Sequence, residues 1–172
     1  MTMALMVPYN IIVQGIYAGL IGTISTITMG SCFVIKSIYN NNHPDATKVM
    51  KELDLERKLS LIQAVINRIE KHSNKKMNDL EKTQIFDLIR TDINLSSDPI
   101  ELSLIYLKES IQVVNSDLLF INKKMENHKA KWFSSWRKTN VKPLLDDLVC
   151  HSKILDSRFD DLTKISLFLA RC

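Results

Sequence analysis

The chain has 172 residues, 24% charged and 45% hydrophobic, with a formal net charge of +4. That length holds one modest domain, or a small domain with an appendage, and four Gly and four Pro are too few for a loop-rich β sandwich or a Gly-rich nucleotide-binding fold. The averages conceal a division. Residues 1–35 contain no charged side chain and hold every glycine, whereas from Asp45 to Cys172 there is no glycine and 22 basic residues stand against 19 acidic ones.

Ile11 to Ile35 is the first predicted element. A helix rises about 1.5 Å per residue, so this stretch reaches roughly 37 Å, enough to cross a hydrocarbon core of about 30 Å. Its Ser and Thr hydroxyls can bond to carbonyls one turn back, which makes them tolerable in lipid. Gly15, Gly19 and Gly22 form a small-residue ridge that lets a second helix approach closely, so packing against a copy of this helix or another span is expected. A cleaved signal peptide wants a basic start, and Met1 to Asn10 supplies only the terminal amine. The segment therefore reads as an uncleaved transmembrane helix. Lys36, Lys48 and Lys51 follow it and nothing basic precedes it, which favours a cytoplasmic C-terminal side and a single-pass membrane protein. Cys32, Cys150 and Cys172 have no disulfide or zinc spacing.

Residues 40–44 are a polar linker closed by Pro44, with Asp45 well placed at a helix start. One helix is then predicted from about Asp45 to His72, its stripe Leu55, Leu59, Ile62, Ile66 and Ile69 stepping by four and three. A basic turn, Lys71 to Lys76, and a shorter helix, Met77 to Ile93, are expected next. Asp98, Pro99 and Glu101 then make the best local helix-start signal in the chain. The following helix is the most regular: Ile100, Leu104, Leu107, Ile111, Val114, Leu118, Ile121, Met125, His128 and Trp132 keep one heptad register. After Pro143 another register runs Val141, Leu145, Leu148, Ser152, Leu155, Phe159, Leu162, Ser166 and Leu169. Two long heptad helices joined by a short turn read as an antiparallel pair. The predicted fold class is all-α: an N-terminal transmembrane helix (about 11–35, within a hydrophobic segment 1–39), the linker, and an antiparallel bundle of about four helices over 45–172 that folds on its own.

Little in this pattern points to catalysis. His43, His72, His128 and His151 are scattered, and none sits with a second His or a carboxylate three or four residues away on a shared inner face, as a bundle metal site would need. Asp146-Asp147 and Asp160-Asp161 read as carboxylates on solvated faces. No glycine loop can hold a phosphate after Gly30. No enzyme activity, cofactor or metal is expected. The distinctive surface feature is Lys123 to Lys142, where seven cations face Glu126 alone. Within it Lys129, Lys131, Trp132, Phe133, Trp136, Arg137 and Lys138 place aromatic rings beside cations, which suits a protein partner or lipid headgroups; as a nucleic-acid footprint it is weak. If the helices alternate direction from the membrane outward, this tip stands about 45–60 Å from the bilayer.

The runs His43-Pro44-Asp45-Ala46-Thr47-Lys48-Val49-Met50-Lys51-Glu52-Leu53-Asp54 and Lys131-Trp132-Phe133-Ser134-Ser135-Trp136-Arg137, in a chain rich in Ile, Asn and Lys, resemble small uncharacterised membrane-anchored helical proteins of large DNA viruses. The resemblance implies a place in a virion or host-cell membrane and carries no active residues. Two functional expectations follow. The first is a non-enzymatic membrane-anchored scaffold or tether that engages protein partners, or copies of itself through the anchor. The second is a membrane-active effector, akin to pore-forming or cell-death regulators, whose bundle shields the hydrophobic segment and packs residues 11–35 against itself.

Overall fold

The computed structural model describes residues 9–80, 99–130 and 140–169, with side-chain environments at 18–71, 99–130 and 140–167. All regular structure among these residues is helical: α1 (Tyr9–Asn40), α2 (Pro44–Leu53), α3 (Leu55–Leu80), α4 (Pro99–Lys129) and α5 (Lys142–Leu169).

Local chemistry fixes the two breaks near the start. Asn42 adopts φ 54° between α1 and α2, a left-handed conformation that Asn tolerates better than most residues. The His43 imidazole then accepts from the Ala46 N–H at 3.5 Å, with Pro44 at the start of α2 and Asp45 in its first turn. The helix expected from Asp45 to His72 is broken at Asp54, which sits at φ 49°, ψ 39° and closes α2 by donating its N–H to the Lys51 carbonyl. The reason lies in the apolar spacing. Met50 and Leu55 are both buried but five residues apart, and a continuous helix would set them about 140° apart around its axis. The left-handed residue absorbs the extra step.

Downstream, α3 continues through Lys71–Lys76, where a turn was expected, and takes in Met77 to Leu80. Neither Gly nor Pro interrupts that stretch, and its lysines are good helix formers. The rest of the expected Met77–Ile93 helix, and Asp98, lie outside the described residues. Pro99 opens α4, and Pro143 sits in the first turn of α5, where the proline ring costs no hydrogen bond.

Side-chain contacts give the directions. Ser31 bonds to Asn115, and Ser37 and Asn41 to Asn122, so α1 and α4 run parallel. Ser25 bonds to Gln63 across an antiparallel α1–α3 pair that the α2 turn links. Asp117 meets His151 and the Arg158 guanidinium lies over Tyr106 at 4.8 Å, so α4 and α5 are antiparallel. The result is an up-down-up-down bundle in which α2 and α3 together form the second rod.

The long heptad pair lies where the periodicity puts it. Leu104, Leu107, Ile111, Val114, Leu118, Ile121 and Met125 of α4 face Leu145, Leu148, Leu155 and Leu162 of α5 and Val141 just before it, all with at most 3% exposure. Leu55, Leu59, Ile62 and Ile66 of α3 join them. The bundle also has a member that the sequence reading set apart. Ile21, Ile24, Ile35 and Ile38 of α1 belong to the same core, with Thr28 and Ser31 buried between them, and α1 packs chiefly on α4 and then on α3.

Candidate membrane-facing surface on α1

The inward row of α1 is Ile21, Ile24, Thr28, Ser31, Ile35 and Ile38, stepping by three and four. The opposite row, in the same alternation, is Gly19, Gly22, Thr26, Met29, Phe33 and Lys36, and every one of these is exposed. Met29 is 61% and Phe33 72% exposed, values that leave most of each side chain uncovered. A peripheral bundle helix normally turns charge outward. The adjoining helix α3 does so, with Glu56, Arg57 and Arg68 exposed. In α1 no charge interrupts the outer face before Lys36.

The polar groups of α1 are arranged the other way. Thr23 donates to the Gly19 carbonyl at 2.7 Å and Thr26 to the Gly22 carbonyl at 2.9 Å, so the outward hydroxyls make no demand on surrounding water. Hydroxyls and amides that need a partner outside the helix point into the bundle: Ser25 to Gln63 at 2.8 Å, Ser31 to Asn115 at 3.0 Å, Ser37 and Asn41 to Asn122 at 3.0 Å. The outward hydroxyls of Thr23 and Thr26 are thus bonded within the helix, and the bonds to other helices lie on the inward side.

Ala18–Asn40 is long and apolar enough to cross a membrane, with a mean hydropathy of 1.7 in its most apolar window. Only 28% of that window is buried, so most of the stretch is free to meet a non-aqueous neighbour. A groove of about 340 Å³ runs between α1 and α3, with Met29, Phe33 and Leu59 among its walls and Thr28 and Gln63 lining it. The Thr28 hydroxyl and the Gln63 carbonyl oxygen there are buried without a hydrogen-bond partner among the described residues.

The residues singled out in the sequence fall into three groups. Gly19 and Gly22 lie on the outward row, and a Cβ added at either would meet no atom within 4 Å. The ridge is thus open, and the partners inside the chain use the isoleucine face instead. Gly15 belongs to α1, but its surroundings lie outside the described residues, as do Lys131, Trp132, Phe133, Trp136, Arg137 and Lys138. Lys129 is exposed in the last turn of α4, near exposed Lys123 and Lys124.

The bond from Asn41 to Asn122 corrects the expected placing of this basic end. Because α1 and α4 are parallel, Lys129 stands only seven residues, or about 10 Å of helix, beyond the level at which α1 ends. It is not held a bundle's length away.

His128 is half-buried, as its seam position implies, and its Nε2 has no partner among the described residues. Among those residues no group of three or more His, Cys, Asp or Glu side chains is placed to hold a metal. Sequence reasoning missed three α1 side chains, Ser25, Ser31 and Ser37, and Asn41 just after the helix, that bond to α3 and α4. Their signal was the polar positions lying next to a regular isoleucine stripe.

No model of a known protein family matches the chain, and no solved structure matches it. It is 43% identical over 175 aligned residues to an uncharacterised protein of Acanthamoeba polyphaga mimivirus, an alignment that covers 98% of this chain and 85% of the relative. With that identity over nearly the whole length of one and most of the other, the chain belongs to the family of that mimivirus protein.

Proposed function

We propose that the protein is a non-enzymatic, membrane-anchored helical scaffold: α1 provides the attachment to lipid and the helices behind it engage protein partners. One observation supports this above the rest. The outward row of α1 is apolar and charge-free from Gly19 to Phe33, and its hydroxyls are satisfied by the helix's own carbonyls. Lipid accepts such a face, whereas water gains nothing from it.

The basic residues that follow, Lys36, Lys48 and Lys51, are all exposed and favour a cytoplasmic position for the C-terminal helices in a single-pass arrangement. The open Gly19 and Gly22 surface suits self-association once α1 is in lipid, and the cations from Lys129 onward suit a partner or headgroups at the cytoplasmic end.

The test is fractionation of cells expressing the full chain. Sedimentation with membranes and resistance to alkaline extraction are expected. Recovery in the high-speed supernatant, with no flotation on liposomes, would refute the reading.

A further inference from the structure

The arrangement that joins α1 to the bundle is incompatible with α1 crossing a bilayer. At the level of its apolar length run α3, with Glu56, Arg57, Lys58 and Arg68, and α4, with Glu101, Lys108, Glu109 and Asp117. Beside them runs α5, with Lys153, Asp156, Arg158 and Asp161. Charges at bilayer depth are strongly disfavoured, so the bundle cannot accompany α1 into lipid. From this exclusion we infer that α1 is a removable helix, stored on α3 and α4 in water and released as one rod, about the Asn41–His43 turn, to enter an anionic bilayer. The inference rests on the reading that α1 is the element that meets lipid.

Three features of the α1 seam favour departure. Among the described residues, every side-chain hydrogen bond that α1 and the adjoining Asn41 make to another helix is between neutral groups. By contrast, an ion pair, Lys58–Asp156 at 2.7 Å, ties α3 to α5, and the His151–Asp117 contact at 2.6 Å ties α5 to α4. The remaining helices therefore keep their own fastenings when α1 goes. Secondly, the stored state is imperfect: Thr28 is 2% exposed and lines the α1–α3 groove, and its buried hydroxyl has no partner among the described residues.

Thirdly, the released helix has internal carbonyl acceptors within reach of its Ser and Thr hydroxyls. Ser31 already shares its bond between the Ile27 carbonyl at 2.9 Å and Asn115, and it keeps the former in lipid. Thr23 and Thr26 show the bond that Thr28 can make to the Ile24 carbonyl once it is free. The Lys36 side chain, exposed at the end of the outward row, meets anionic headgroups as the rod enters.

A reversible lock tests this. In the full chain with Cys32→Ser, Cys150→Ser and Cys172→Ser, the pair Ser31→Cys and Asn115→Cys is bridged by a cleavable thiol-bridging reagent. Vesicles of phosphatidylcholine and phosphatidylserine are then added, and alkaline-resistant flotation is read. The bridged protein should lose at least tenfold in inserted fraction and regain it on cleavage, and a Ser37→Cys, Asn122→Cys pair should behave alike.

As a second arm, Asn115→Ala with Asn122→Ala leaves α1 unchanged and should raise the inserted fraction several-fold at limiting lipid. Equal insertion of bridged and unbridged protein overturns the release of α1. Absence of insertion by the unbridged protein on any vesicle overturns the lipid-attachment reading itself, so the two failures are distinguishable.

Discussion

Replacing Ile35 by Ala separates the two faces of α1. Ile35 is fully buried on the inward row, and the lost methyl and methylene groups leave a cavity between α1 and its neighbours. Such truncations cost about 2–5 kcal/mol, against a total stability of about 5–15 kcal/mol for a domain of ordinary size. Urea unfolding in detergent-free buffer, followed by far-ultraviolet circular dichroism, measures the change. With a slope of about 1–3 kcal/mol per molar urea, the midpoint should fall by about 1–2 M.

The matched control is Phe33→Ala on the outward row, 72% exposed. Its effect on stability should stay within about 0.5 kcal/mol. Its removal takes away roughly three-quarters of the gain from fully burying a Phe, about 1–2 kcal/mol, which lowers partitioning onto liposomes about 5–30-fold. If Ile35→Ala leaves the urea midpoint unchanged while Phe33→Ala lowers it, α1 does not sit on the bundle by its isoleucine face and the argument for the opposite face collapses.

Other consequences are equally direct. Deleting residues 1–40 uncovers the α4 and α3 surface on which α1 packs, so the product should stay helical, held by the Lys58–Asp156 and His151–Asp117 contacts, but self-associate; loss of helicity by circular dichroism would contradict this. Asp54→Val should cost about 1–3 kcal/mol in urea unfolding, since a β-branched residue is strained at φ 49°, while Asp54→Gly should be nearly neutral. Asp117→Ala leaves His151 without its 2.6 Å partner and should destabilise by about 1–3 kcal/mol, with a smaller loss for Asp117→Asn.

Much of this architecture is visible in the order of the residues, and the exceptions have physical causes. The heptads of α4 and α5 were legible because, apart from His128 in α4 and Ser152, Phe159 and Ser166 in α5, every fourth and third residue is Leu, Ile, Val or Met, and helical geometry leaves such a stripe one place to go. Asp54 was harder: a five-residue gap between Met50 and Leu55 marks a phase slip, but only if Ala46 and Met50 are counted in the stripe, and their small or flexible side chains hide it. The α3 extension was misread because Ser73 and Asn74 suggest a turn while lacking the Gly or Pro that would enforce one. The outward position of Gly19 and Gly22 follows from the same periodicity as the isoleucines. What it meets outside the chain does not, because periodicity sets faces and not partners.

The deepest ambiguity concerned α1 itself, and it has one origin. A charge-free helix satisfies lipid and a protein interior equally, since both are apolar and both demand internal hydrogen bonds. Composition therefore cannot say which surrounds it, but the distribution of polar atoms can. A helix made only for a bilayer has no use for Ser25, Ser31, Ser37 and Asn41 placed against Gln63, Asn115 and Asn122. A helix made only for a bundle core has no use for bare Met29 and Phe33 on its far side. Because α1 carries both sets, about half a turn apart, its residues are suited to two environments, and the neutral hydrogen bonds on its inner face are the contacts that must break for it to pass from one to the other.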